Sequence, residues 1–116
     1  MSRKVEAALQ LFSSMIKRHY GNRVLGLYRV NLDDDYEEYD RADAYIAVVL
    51  ADGDWSVFEE VGVLGGYAYD ALEQSDVFMR ALPIAKADWD DPSRRGAEIS
   101  AAAKAGATSL MEMASA

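Results

Sequence analysis

The sequence has no cysteine at all. This absence excludes a disulfide-stapled scaffold, catalysis by a thiolate and zinc sites built from cysteine. A chain without cysteine also suits the reducing cytoplasm, which is the compartment we expect. Its 116 residues, 51% hydrophobic and 28% charged, suffice for one domain with its own core and are too few for two. We therefore predict a single domain over residues 1–116.

Long apolar runs are missing as well. The N-terminal sequence MSRKVEAALQLFSS mixes charged and apolar residues, and no window of the chain approaches 18 consecutive apolar residues. A secretory signal needs an unbroken apolar stretch, and a membrane-spanning helix needs a longer one. The sequence predicts neither, so we expect no membrane partner.

Basic residues are fewer than acidic residues. The chain has 12 basic against 20 acidic residues, which gives a net charge of −8. Proteins that bind DNA or RNA carry a basic face, because each phosphate contact needs a cation. The composition therefore argues against direct nucleic-acid binding, and it favours either simple solubility or docking on a basic protein.

The hydrophobic pattern predicts an α/β chain of the α+β type, with helices packed on a small mixed sheet of three to four strands in the order α-β-β-α-β-α. The first helix carries Val5, Leu9, Phe12, Ile16 and Tyr20 at helical spacing and ends at Gly21-Asn22. Strands are predicted over 23–30, 42–51 and 77–84. The second is apolar at nearly every position, so we expect it at the centre of the sheet. Pro83 lacks a backbone donor and favours an edge position for the third.

A second long helix is predicted from Ser56 to about Gln74, because Ser56 and Glu59 form a capping box. Its predicted core face comprises Val57, Val61, Leu64, Ala68, Ala71 and Leu72. Gly62, Gly65 and Gly66 are expected to let this helix lie close to the sheet. Weak helices are predicted over 97–105 and 109–113, after a turn at Asp90-Asp91.

Three stretches, taken in order, resemble one known family. They are VLGLYRVN at 24–31, ADAYIAVVL at 42–50 and the long segment from Phe58 to Pro92, followed by Lys104-Ala105-Gly106. Their order and spacing are similar to those of the minimal, stand-alone nucleotidyltransferase domains of the DNA polymerase β superfamily. The similarity covers nearly the whole chain.

The resemblance implies an active-site motif that has decayed. The family holds two Mg²⁺ ions with an Asp-x-Asp pair, whose carboxylates share one face of a strand, and holds phosphate with a Gly-Ser turn. Asp43 matches the first acid, but Tyr45 stands in place of the second, and a neutral phenol is a poor magnesium ligand. Gly26 matches the glycine, while Leu27 replaces the serine. We therefore expect no cofactor, with Asp43 as a remnant catalytic or metal-binding residue and Gly26, Leu27 and Tyr45 as the nucleotide-binding positions.

The family's third acid, where one exists, comes from the third strand. Met79 and Arg80 lie near that place, and neither can replace a carboxylate. Gly26 also has a purely structural interpretation, as a turn or bulge residue, and Asp43 has one as a polar residue at the end of a strand. His19, Trp55 and Trp89 are interpreted as structural residues rather than as catalytic or ligand-binding ones.

An acidic loop separates the two motifs. It is either a solvated insertion or a docking surface for a basic partner. The resemblance implies a helical partner of the HEPN type, a class of ribonuclease toxin that such domains neutralise. The candidate partner-binding residues are Asp33, Asp34, Asp35, Tyr36, Glu37, Glu38, Tyr39 and Asp40.

Two alternatives stay open. One is an active transferase that moves AMP from ATP to a protein hydroxyl, with Mg²⁺ held by Asp43 and a second acid such as Asp40. Those two are three residues apart, so a bulge would be needed to bring them to one face. The other is a structural module that associates with itself.

Overall fold

The computed structural model describes residues 3–30, 42–91 and 108–111. Its elements are helix α1 (Arg3–Tyr20), a 3₁₀ turn (Gly21–Arg23), strands β1 (Val24–Val30) and β2 (Ala44–Leu50), helix α2 (Val57–Ser75), strand β3 (Met79–Ala85), helix α3 (Lys86–Asp90) and strand β4 (Thr108–Ser109). The predicted α+β class is confirmed, and the order of the elements roughly matches the predicted one. No helix in the described ranges has the length and apolarity needed to cross a membrane.

One mixed sheet contains the four described strands in the order β3-β2-β1-β4. Strand β2 pairs antiparallel with β1, where Tyr45 faces Val30, and parallel with β3, where Val48 faces Pro83. The central position predicted for β2 is confirmed, and six of its seven residues are buried. The edge position predicted from Pro83 is also confirmed within the described sheet.

Helices α1 and α2 cover one face of the sheet and form the main core. On α1, the residues Leu9, Phe12, Ile16 and Tyr20 are buried, as their helical spacing predicts. The helix ends where Gly21 takes a left-handed backbone with φ of +57°. Glycine adopts this conformation without the steric cost that a side chain incurs.

A smaller core occupies the other face. The buried residues Val30, Ala47, Val49, Ile84 and Trp89 form it, with Tyr28 and Tyr45 packed against them. Helix α3 supplies Trp89, whose ring stacks on Tyr28 with centroids 4.8 Å apart. The sequence pattern did not predict α3, because five residues are too few to show a helical period.

Helix α2 begins at the predicted cap. Ser56 Oγ accepts a hydrogen bond from the backbone N–H of Glu59 at 3.4 Å. At the other end, Asp76 takes a left-handed backbone and its N–H donates to the carbonyl of Leu72 at 2.8 Å. Both ends therefore satisfy backbone groups that a helix terminus leaves without intrahelical partners.

The predicted core face of α2 is only partly right. Leu64, Ala68 and Ala71 are buried, but Val57 is 56% exposed and Val61 is 45% exposed. The prediction for Gly62, Gly65 and Gly66 is wrong: these glycines are exposed, and a Cβ added to any of them would meet no atom within 4 Å. The side of α2 that packs on the sheet is the one that carries Leu64, so the glycines face away from it.

The start of the helix predicted over 109–113 differs from the structure, although Met111 is helical. Ser109 lies in β4, not in a helix, and pairs with Tyr28 of β1. The backbone N–H of Leu110 donates to the carbonyl of Leu27 at 2.7 Å, and the Leu110 side chain is buried in the main core. Hydrogen bonding to the outer side of β1 overrides the weak local helix preference. The predicted helix over 97–105 and the Lys104-Ala105-Gly106 match lie outside the described residues.

Candidate functional site

Asp43 stands directly before β2 and joins that strand to the residue before β3. Its backbone N–H donates to the carbonyl of Phe78 at 2.7 Å. Its carboxylate Oδ2 accepts the backbone N–H of Phe78 at 2.9 Å. The side chain that matches the first catalytic acid therefore has a structural partner in this fold.

Tyr45 follows two residues later, as the second residue of β2. Its hydroxyl accepts a hydrogen bond from the backbone N–H of Ala42 at 3.2 Å. Its ring packs against the smaller core. Tyr45 thus contributes to the packing of that face of the sheet.

Gly26 and Leu27 are not brought together with Asp43. Gly26 faces Val49 across the β1–β2 ladder, and Val49 is six residues from Asp43 along the chain. At about 3.3 Å per residue, the separation is roughly 20 Å. The structure therefore does not assemble one phosphate and metal site from these four motif positions.

The structure gives Gly26 a local role instead. The β1–β2 register shifts between Val24 and Gly26, as it does at a bulge. A Cβ at Gly26 would lie 2.5 Å from Cε2 of Tyr28, so the glycine makes room for that ring. Leu27 is fully buried in the main core.

The described residues do not fit a pair of magnesium ions. Two-metal chemistry needs neighbouring carboxylates with oxygens free to coordinate, and at the second motif position the described residues offer Asp43 the phenol of Tyr45 instead of an acid. In the place of the third acid, Met79 is buried and the guanidinium carbon of Arg80 lies 5.5 Å from the centre of the Phe78 ring. Among the residues with described positions, no three His, Asp or Glu side chains form a group able to hold a metal.

The eight acidic-loop residues from Asp33 to Asp40 lie outside the described residues. Their two flanks are described: β1 ends at Val30, and Val30 is paired with Tyr45 near the start of β2. The described residues on either side of the loop therefore lie at the same end of the sheet, which is the end near Asp43.

The three residues interpreted as structural all have local contacts. Trp55 Nε1 donates to the carbonyl of Ala51 at 2.7 Å, and Trp89 is buried in the smaller core. His19 Nδ1 lies 2.9 Å from the hydroxyl of Tyr67 on α2. These contacts tie each ring to a neighbouring part of the chain.

A buried polar pair between α1 and α2 was not predicted. The Tyr20 hydroxyl donates to Glu60 Oε1 at 2.8 Å, and both residues are buried. Burial, and next the hydrogen bond to the Glu60 carboxylate, raise the pKa of Tyr20 well above the ordinary value for tyrosine. A sequence signal did exist, because Glu60 precedes Leu64 and Ala68 at four-residue intervals and so lies on the core face of α2.

The outward side of α2 was also missed. It carries an apolar row of Phe58, Gly62, Gly65 and Tyr69, flanked by Val61, which we call the α2 outer face. Phe58 is 89% exposed and Tyr69 is 59% exposed. Beside this face, an apolar recess of about 360 Å³ opens between α2 and β3. Its lining comprises Val61, Gly65, Ala68, Tyr69, Leu72, Phe78, Met79, Arg80, Ala81 and Leu82.

Comparison with known proteins gave no match, whether against protein-family models, curated proteins or solved structures. The resemblance to nucleotidyltransferases therefore rests on the sequence motifs alone. The geometry supports a mixed α+β domain whose motif residues serve packing and strand alignment.

Proposed function

We propose that this chain is a nucleotidyltransferase-like domain that has lost catalysis and acts by binding another protein. The observation that supports this most directly is that the Asp43 carboxylate is hydrogen-bonded to the backbone. Its carboxylate accepts the Phe78 backbone N–H, and the neighbouring motif position is Tyr45, whose hydroxyl accepts the Ala42 N–H.

The chemistry of nucleotidyl transfer explains why this matters. Two cations must neutralise the triphosphate and activate the attacking hydroxyl, and each cation needs carboxylate oxygens that are not already committed. Asp43 is a single acid with one oxygen engaged by the backbone. A site of this kind lacks the negative charge that a pair of divalent ions requires.

The proposed partner is a helical protein of the HEPN type, as the family resemblance implies, and the binding segment is the acidic loop at 31–41. A ribonuclease must present a basic surface to its RNA. An acidic segment with both ends at one end of the sheet can cover such a surface and compete with RNA by charge. The two loop tyrosines would supply apolar anchors, since tyrosine is enriched among residues that dominate interface energies.

Catalytic silence is tested with ATP and Mg²⁺. We expect isothermal titration to detect no binding of the nucleotide with a Kd below about 1 mM, and radiolabelled ATP to transfer nothing to protein acceptors. The matched variant is Asp43→Asn, which keeps an oxygen to accept the Phe78 N–H but removes the charge. Label transfer by the natural chain that disappears in D43N would overturn the proposal and establish the active alternative.

Partner binding is tested by titrating the chain against the product of the neighbouring gene, which the proposal expects to be a HEPN-type protein, at low and at high salt. We expect the triple variant Asp33→Asn, Asp34→Asn, Asp35→Asn to bind about tenfold more weakly, because it loses three interface charges. The control removes three exposed carboxylates elsewhere, at Glu6, Asp54 and Asp70. Equal weakening by both triple variants would mean that net charge, and not the loop, governs binding, and no binding at low salt would refute the partner.

A further inference from the structure

The α2 outer face is apolar and carries no charge along its centre. The 100° step between helical residues places Glu59 and Asp70 on its flank, away from the row that runs from Phe58 to Tyr69, and Glu73 lies one turn beyond Tyr69 at the C-terminal end of that row. A large exposed apolar patch on a soluble domain marks an interaction surface. In a chain with a net charge of −8, an uncharged face is also where a second copy meets the least repulsion.

The recess beside this face has the shape of a packing hole. Four of its lining residues on α2, namely Gly65, Ala68, Tyr69 and Leu72, follow the spacing i, i+3, i+4, i+7. Four residues at this spacing surround the position that a side chain of a facing helix occupies in knobs-into-holes packing. Phe58 is the most exposed large side chain of the same face. The face therefore carries a side chain that can act as the knob, Phe58, and a recess that can act as the hole.

The positions of knob and hole obey twofold symmetry. Phe58 and Tyr69 are equally far from the midpoint between Gly62 and Gly65. If two α2 helices cross antiparallel at this midpoint, each Phe58 meets the hole around Tyr69 of the other copy, and the same patch serves both copies. Gly62 and Gly65 then lie at the crossing, where open space around them lets the two backbones approach.

We propose that the α2 outer face binds a second copy of this chain through an antiparallel pair of α2 helices, with Phe58 of each copy seated in the recess of the other. The symmetric placement selects this occupant, because a helix of unrelated sequence would not require matched distances on both sides of the glycines. This interface is separate from the acidic loop, so either can fail without the other.

Light scattering after size exclusion gives the first test. We expect a mass twice the 12.8 kDa of the chain, and the variant Phe58→Glu should run as a folded monomer, since an exposed side chain adds little to the core. The control Gln74→Glu adds the same charge to another exposed side of α2 and should remain dimeric. A natural chain that stays monomeric up to about 1 mM, or an F58E variant that still dimerises, would overturn the proposal.

Disulfide trapping tests the register, since the chain has no cysteine of its own. Within one helix, positions 58 and 69 are roughly 16 Å apart, too far for a disulfide. In the proposed pair, position 58 of each copy would face position 69 of the other. We expect the double variant F58C/Y69C to form a covalent dimer under mild oxidation, and F58C or Y69C alone to form little. Trapping of the single variants to the same extent as the double variant would contradict this register.

Discussion

The two sides of α2 differ less in composition than in what they contact. One side buries Leu64, Ala68 and Ala71 under α1 and over the sheet, and it also buries the carboxylate of Glu60. The other side exposes the ring of Phe58 to solvent. An acidic side chain lies inside and an aromatic ring outside, which reverses the usual arrangement. The comparison teaches that apolar content alone does not show which side of a helix belongs to the core.

The largest expected contrast comes from truncating one apolar residue on each side. Leu64→Ala should lower the free energy of unfolding by about 2–5 kcal/mol, because it leaves a cavity in a fully packed core. Phe58→Ala should change it by less than about 0.5 kcal/mol at protein concentrations low enough for the proposed dimer to dissociate. Urea denaturation at low protein concentration measures both. Similar costs for the two variants would mean that the two sides of α2 are not distinct.

A smaller effect is expected at the polar pair on the buried side. Tyr20→Phe removes the donor to Glu60 and should cost about 1–3 kcal/mol at pH 7, since a buried acceptor loses its partner. Tyr69→Phe, on the exposed side, is the matched control and should cost little. Urea denaturation of both variants makes the comparison, and equal costs would show that the hydrogen bond to Glu60 does not stabilise the fold.

The same pair predicts a dependence on pH. Because the pKa of Tyr20 is raised in the folded chain, the stabilisation from its neutral hydroxyl is complete below about pH 10, the ordinary tyrosine value. It is lost as the pH rises further, when the unfolded chain ionises and the folded chain does not. The stability gap between the natural chain and Y20F should therefore narrow above about pH 10, in urea titrations from neutral to alkaline pH. A gap that stays constant would show that Tyr20 keeps its ordinary pKa.

The smallest expected effect is a gain on the exposed side. Gly66→Ala should raise the free energy of unfolding by about 0.5–1 kcal/mol, because Gly66 lies inside a helix with no neighbour that a Cβ would strike. The contrasting variant Gly21→Ala should lose stability, since Gly21 has a φ of +57°. Thermal denaturation of the two variants measures both changes. A loss of stability in the Gly66→Ala variant would show that another group packs on that residue.

The parts of the fold set by short-range physics were predictable. An unbroken apolar run placed β2 at the centre of the sheet. Ser56 marked the start of α2 because its hydroxyl can reach a backbone N–H three residues ahead. Pro83 placed β3 at an edge because it lacks a donor. In each case one residue type or one local pattern decided the structure.

The failures involve partners that are distant in sequence. Ser109 joined a strand because the outer side of β1 offered backbone groups to pair with. The separation of Gly26 from Asp43 is set by the β1–β2 register, which places Gly26 against Val49. The outward direction of Gly62 and Gly65 depended on which of two apolar sides of α2 met the sheet. Local patterns carry no information on these choices.

The parallel pairing of β2 with β3 has a consequence for the order in which the chain acquires its shape. The two strands cannot be joined by a tight hairpin, and all of α2 lies between them. Closing so long a connection costs chain entropy before the ladder returns any hydrogen bonds. We therefore expect the β2–β3 ladder to form late during folding, after α2 has docked on α1, so that a chain leaving the ribosome can pair β3 with β2 only once all of α2 has emerged.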